Sequence, residues 1–147
     1  MATGITFRNA KIEVSVDGGT TWVNISGQTN SLEVGGGDRE IGTFFDAAND
    51  TPTLGAGKRG ELEITLRIKY TETAGEAHTI LGDAYENATE TLVRYSPKGA
   101  ASGDRMYTSD AGYVKTNPFP GQEVESGDPL RTEFVVVVGK LTKSVVA

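Results

Sequence analysis

Residues 61–70 read ELEITLRIKY, and their reading decides the fold class. Leu62, Ile64, Leu66, Ile68 and Tyr70 alternate with Glu61, Glu63, Thr65, Arg67 and Lys69. A period of two held over ten residues, apolar on one side and mostly charged on the other, is a strand with one face in a core. The period changes just downstream. In TAGEAHTILGDAYENATE, residues 73–90, the side chains Ala77, Ile80, Leu81, Ala84, Tyr85 and Ala88 recur at helical spacing. That spacing predicts a helix over Ala74 to Thr89, weakened by Gly82, and it is the one good helix in the sequence.

Outward from this strand–helix pair the strand signal dominates. Ile12, Val14 and Val16 alternate with Lys11, Glu13 and Ser15, which predicts a half-buried strand. Asp17-Gly18-Gly19 follows, then Trp22, Val23 and Ile25, so the segment reads as a β-hairpin. Residues 29–34 fit a third strand. Gly35 to Gly60, GGGDREIGTFFDAANDTPTLGAGKRG, has seven Gly and one Pro and reads as a long loop. A loop of that length is uncommon in a compact domain and is usually functional or disordered. Strands are predicted again at Thr91 to Tyr95 and Arg105 to Thr116. A Pro/Gly connection, NPFPGQEVESGDP, then leads to LRTEFVVVVG at Leu130 to Gly139. The last loses its alternation at Val135 to Val138, which predicts burial on both faces. The expected fold is mainly β: a single domain over residues 1–147, an antiparallel β-sandwich or barrel with one flanking α-helix.

Composition narrows the chemistry. The 147 residues can bury a real core, and 37% hydrophobic content is too high for a disordered chain. A net charge of −6 is a poor match to proteins that grip phosphates. With no Cys, thiolate catalysis, disulfides and Cys-based zinc sites are excluded. The N-terminus shows no secretory pattern, and the longest apolar run, Phe134 to Val138, is far too short for a membrane span, so synthesis in a cytoplasm is expected.

SVDGGTTW, Ser15 to Trp22, matches the S-x-D-x-G-x-T-W pattern of the Asp-box in sialidases and other β-propeller glycosidases. Its physical content is a turn: Asp17 accepts from backbone N–H groups, Gly19 takes a positive φ, and Trp22 packs beneath. A propeller needs repeated blades, and this motif occurs once, so Asp17, Gly19 and Trp22 are expected to be structural. The carboxylate pairs Asp38/Glu40 and Glu61/Glu63 fit a solvated strand face better than an acid/base dyad. The lone His78 has no companion at metal-ligand spacing. Asp104, Asp110, Asn117 and Asp128 do not match a calcium loop, and Gly35 to Gly37 is not a phosphate loop. No catalytic residue, metal or cofactor is expected. In the long loop, Ile41, Phe44 and Phe45 would be a costly exposed patch on a monomer and fit as anchors in a neighbouring subunit.

The order of these elements resembles the major tail tube protein of long-tailed, non-contractile, lambda-like bacteriophages. The resemblance covers nearly the whole chain: the early hairpin KIEVSVDGGTTWVNISG, the Gly/Asp-rich GGGDREIGTFFDAAND, the strand and helix of residues 61–90, LVRYSPKG, the strand ending near GYVKTNPFPG, and the closing LRTEFVVVVGKL. It implies a structural subunit of a virion tail, assembled in the host cytoplasm. Six copies would form a ring, and the rings would stack into a tube whose inner sheets surround a DNA channel. DNA would pass without specific binding, and tape-measure, tail-tip and terminator proteins would be partners. On this reading Ile41, Phe44, Phe45 and Asp46 are inter-subunit contacts, and Glu61, Glu63, Asp38 and Glu40 face the lumen. Arg67 and Lys69 lie farther along the face of Glu61 and Glu63, so that face is acidic at one end and basic at the other. A carbohydrate-binding β-sandwich using Trp22 and the tyrosines, and a small glycosidase-like enzyme, are the competing readings.

Overall fold

A computed structural model describes residues 3–121 and 127–147. Among them are eleven strands and one α-helix: β1 (Lys11–Ser15), β2 (Val23–Asn24), β3 (Thr29–Gly36), β4 (Arg39–Phe44), β5 (Thr53–Arg59), β6 (Leu62–Lys69), α1 (Ala77–Glu86), β7 (Leu92–Ser96), β8 (Arg105–Ser109), β9 (Tyr113–Val114), β10 (Arg131–Val138) and β11 (Leu141–Val145). Ile64, Leu66 and Ile68 of β6 are fully buried, as the alternation of residues 61–70 predicts. β6 lies inside an antiparallel sheet of order β3-β6-β10-β9, where Leu66 stands opposite Phe134 on one side and Leu32 on the other. A second antiparallel sheet has the order β11-β8-β7-β1-β2. Ile12, Val14 and Val93 from this sheet meet Ile64, Leu66, Phe134 and Val136 from the first, and α1 adds Ala77, Leu81 and Ala84 to the same core. The fold is mainly β with antiparallel sheets and one helix.

Several expectations need correction. The helix is shorter than Ala74 to Thr89. Gly75 has a positive φ before it, and Ala88 takes a φ of 52° just after it, so Tyr85 and Ala88 are exposed rather than core. Gly82 is buried against Pro118, whose Cβ would lie 3.3 Å from an added methyl, so a side chain there would press on the 117–121 segment. β1 is not half-buried: Glu13 and Ser15 are as enclosed as Ile12 and Val14, while Val16 is exposed beyond the strand. Alternation in β10 persists, since Thr132, Phe134, Val136 and Val138 are buried and Val135 and Val137 only half so. The span 105–116 is two strands, and β11 is a strand the sequence did not announce. Of the connection at 117–129, residues 122–126 lie outside the described residues.

The largest correction concerns residues 35–60. They form an arm, not an irregular loop: β4 and β5 pair as a two-stranded antiparallel sheet. The ladder of β3 and β6 runs on into it, through Gly37 N–H to Glu61 O (2.9 Å) and Gly60 N–H to Asp38 O (3.0 Å). At this junction Gly36 and Gly37 have φ of 75° and 71°. A Cβ on Gly36 would sit 2.6 Å from Glu61 O, and one on Gly37 would strike the Leu62 side chain. Only glycine satisfies both the dihedral and the close approach.

Candidate assembly interface

The arm holds the inter-subunit residues expected from the sequence. None of its strand residues is buried. Ile41, Phe44, Phe45 and Leu54 are 56, 69, 65 and 64% exposed, a density of large apolar side chains that free surfaces avoid. Register puts Ile41 and Thr43 opposite Ala56 and Leu54, so Ile41, Leu54 and Ala56 share one face; Phe44 is on the other, opposite Thr53. An Arg39 Nη1 bond to Gly57 O (3.0 Å) braces the base. At the tip the Asp46 carboxylate accepts from Ala48 N–H (2.9 Å), Asn49 N–H (3.0 Å) and the Asn49 side-chain amide (3.1 Å). The Asn49 side-chain bond first, then the Ala48 backbone bond, holds its pKa below the usual carboxylate value. Sequence reasoning missed Leu54, whose exposure becomes evident only once β5 is known to pair with β4 rather than with the core.

The face of the β3-β6-β10-β9 sheet turned away from the core is the second candidate surface. Rows of cross-strand partners follow from the register: Gly35, Glu63 and Val137 beside Tyr113; Glu33, Thr65 and Val135; Ser31, Arg67 and Glu133; then Lys69 and Arg131. Lys115 bonds Glu63 at 3.1 Å and Arg67 pairs with Glu133 at 3.5 Å. Counting Glu33, Glu63 and Glu133 against Arg67, Lys69, Lys115 and Arg131 gives −3 + 4 = +1. This face is near neutral with its charges segregated, not an acidic wall. The four expected lumen acids are not brought together on it. Glu63 is on the sheet, Glu61 precedes β6 at the arm junction, Asp38 sits between β3 and β4, and Glu40 is on the arm.

The SVDGGTTW stretch is a tight turn after β1. Asp17 Oδ1 accepts from Thr21 N–H and from the Ser15 hydroxyl, both at 2.8 Å, and Ser15 Oγ accepts from Gly19 N–H at 2.9 Å. Gly19 has a φ of 92° and approaches the Trp22 ring. The Thr21 N–H first, then the Ser15 hydroxyl, holds the Asp17 carboxyl below its usual range. Trp22 lies under the Arg94 guanidinium, 4.2 Å from ring centre to carbon. Arg94 in turn grips the buried Glu13 with two bonds, Nε to Oε1 at 3.0 Å and Nη2 to Oε2 at 3.1 Å. This explains why β1 buries a carboxylate: its charge is matched by a bidentate partner.

The sugar-binding and catalytic readings find no surface here. Trp22 is covered by Arg94, Tyr95 and Tyr107 stack on each other at 5.3 Å, and Tyr70 meets the edge of His78. The two exposed tyrosines, Tyr85 and Tyr113, are on separate elements. His78 Nε2 lies 2.9 Å from Pro118 O, a contact that ties α1 to the 117–121 segment. Asp110 accepts from Gly139 and Lys140 N–H groups, and Asp104 from Ala101 N–H, so both acids are turn braces. Among the described residues no three His, Cys, Asp or Glu side chains converge to hold a metal.

No protein-family model and no curated protein matches the sequence. Solved structures do match in fold. A chain of the anti-feeding prophage baseplate, six-fold symmetrised, aligns with a TM-score of 0.75 at 11% identity, covering 99% of both chains. A chain of the extended sheath-tube complex of an extracellular contractile injection system aligns at 0.67 and 15% identity, over 99% of this chain and 95% of that one. A chain of the tail of an empty GTA particle with C6 symmetry aligns at 0.65 and 7% identity, over the whole of both. These neighbours are structural components of tails and baseplates rather than enzymes. They come from contractile injection systems and a GTA tail, so the fold does not single out the non-contractile, lambda-like type. Along its whole length the chain has a tail-tube-like fold.

Proposed function

We propose that the chain is a structural subunit of the tube of a phage tail or phage-tail-like particle, assembling as stacked hexameric rings around a channel that delivers DNA or another cargo. The observation behind this reading is the arm. A two-stranded hairpin with no buried residue and four large exposed apolar side chains is marginal alone and gains its stability from a partner. In a fold shared with chains of tube and baseplate assemblies, that partner is another copy, and Ile41, Phe44, Phe45 and Asp46 are its contact residues. The outward face of the β3-β6-β10-β9 sheet lines the channel, with Glu63 on it. Its ion pairs give Arg67 and Lys115 carboxylate partners, which weakens their hold on passing phosphates. Particles assemble in the host cytoplasm, where tape-measure, tail-tip and terminator proteins set the tube's ends and length. A non-contractile tail is the setting that the sequence resemblance favours.

Sedimentation velocity and negative-stain microscopy of the purified chain over a range of concentrations test this reading. Rings or tubes of uniform diameter support it. A chain that stays monomeric at high concentration, and also fails to extend preformed tail fragments, would refute it.

A further inference from the structure

The strands of the β11-β8-β7-β1-β2 sheet have two unlike ends. Register puts Ser15 beside Leu92 and Leu141 beside Ser109 at one end, and Lys11 beside Ser96 and Val145 beside Arg105 at the other. At the first end α1 leaves a hollow of about 190 Å³ lined by Val16, Ile80, Asp83, Ala84, Asn87 and Thr89. Three of these are aliphatic, and Val16 is 40% exposed. The surroundings are acidic. Between Tyr70 and Arg94 there are five carboxylates, Glu72, Glu76, Asp83, Glu86 and Glu90, and no Lys or Arg. None of the five is in an ion pair among the described residues. Lys140 is at the same end but on the far strand of the sheet, about 14 Å from β1 at ~4.7 Å per strand.

The other end has the reverse character. A hollow of about 320 Å³ there is lined chiefly by Ile5, Lys98, Asp104, Arg105 and Tyr107. Ile5 is 64% exposed, although its segment is held down at Phe7, whose ring lies 6.2 Å from that of Tyr95. Arg8 follows Phe7, and Lys143 stands opposite Tyr107. Asp104 opposes these cations: it pairs with Lys98 at 3.8 Å and accepts from Ala101 N–H. Counting Arg8, Lys98, Arg105 and Lys143 against Asp104 gives +4 − 1 = +3. One end of the sheet thus presents an apolar hollow among acids, and the other an exposed aliphatic side chain among cations. A single copy cannot join its own two ends, because the paired strands lie between them.

Resting on the assembly reading above, we infer that a second copy docks end to end on this sheet, with Ile5 of one copy in the Val16–Ile80–Ala84 hollow of the other and Lys98 and Arg105 against Asp83 and Glu86. A hollow of that size has room for one such side chain. The aliphatic contact supplies affinity, and the charges around it select the partner and its orientation. The two surfaces differ, so the contact is heterologous and each copy uses both of its ends. It involves no residue of the arm and is therefore a second, separate joint between copies.

Charge reversal in the full chain tests the contact. At low salt, where screening is weak, K98E/R105E and D83K/E86K should each raise the concentration for half-association at least fivefold, read by sedimentation velocity. The quadruple variant K98E/R105E/D83K/E86K should recover most of that loss. Ile5→Ser, which lies outside the core, should raise the same concentration by a similar factor and leave its salt dependence unchanged. Circular dichroism melts confirm that each variant is folded, and Ile5→Ser carries the test if a charge variant is not. Association unchanged by Ile5→Ser, or lost in the double variants and not recovered by the quadruple, would overturn the inference while leaving the tube reading intact. Loss in D83K/E86K alone would mean that the acidic end meets a different basic surface, and would also overturn it. Recovery in particles that are not six-membered rings would uphold the contact and overturn the ring reading. No association of the wild-type chain would overturn both.

Discussion

Changing Phe44 and Phe45 together to Ser isolates assembly from folding. The two rings are 69 and 65% exposed in the single chain, so about two thirds of each remains to be buried by a partner. Complete burial of a Phe side chain contributes about 1.5–3 kcal/mol, which leaves about 1–2 kcal/mol per ring, or about 2–4 kcal/mol for the pair. At 1.4 kcal/mol per tenfold, the critical concentration for assembly should rise roughly 30- to 700-fold. The arm contributes nothing to the core, so the monomer's thermal midpoint should move by no more than about 2 °C. Pelleting against concentration reads the first quantity and a calorimetric or dichroism melt the second. An unchanged critical concentration would refute the arm as an assembly element. A large fall in the melt would show that these rings support the subunit itself.

Other perturbations probe the scaffold. Leu81→Asp places an unpaired carboxylate at a fully buried position of α1 and should cost about 4 kcal/mol or more, yielding insoluble or unfolded protein; a soluble, normally melting variant would contradict the packing of that helix. Arg94→Met leaves the buried Glu13 carboxylate without its bidentate partner and should cost about 3 kcal/mol, whereas the double variant E13Q/R94M should be distinctly less destabilised than the two single changes summed. Asp17 has its folded-state pKa depressed below the ordinary 3.8, chiefly by the Thr21 N–H. Its contribution is therefore present above the unfolded value and lost as pH falls through the folded one, and Asp17→Asn should flatten the stability curve below about pH 4. An identical acid profile in the variant would show that the turn does not depend on that carboxylate.

How much was legible in the sequence follows from where each signal is stored. Residues 61–70 announced β6 because one face is buried and the other wet, which is what period two records. Helix α1 was legible from Ala77, Leu81 and Ala84, but its ends were not, because Tyr85 and Ala88 keep the spacing and lose the sheet beneath them. Glu13 reads as a solvent-facing residue until Arg94, 81 positions away, is known to lie beside it. The arm was the main miss. Strand patterns are visible when a core selects alternate residues, and the arm has no core of its own. Its pairing rests on backbone bonds, and its Gly and exposed Phe residues mimic a loop. The aromatic residues were still the useful clue, since nothing in the single chain covers them.

A helical reconstruction of the assembled chain would show which sheet face lines the channel and where the arms go. The expected result is stacked six-membered rings in which the Glu63, Arg67 and Glu133 face lines the channel and each arm contacts another copy. A reconstruction with that face on the outer wall, or with the arms pointing into solvent, would contradict it.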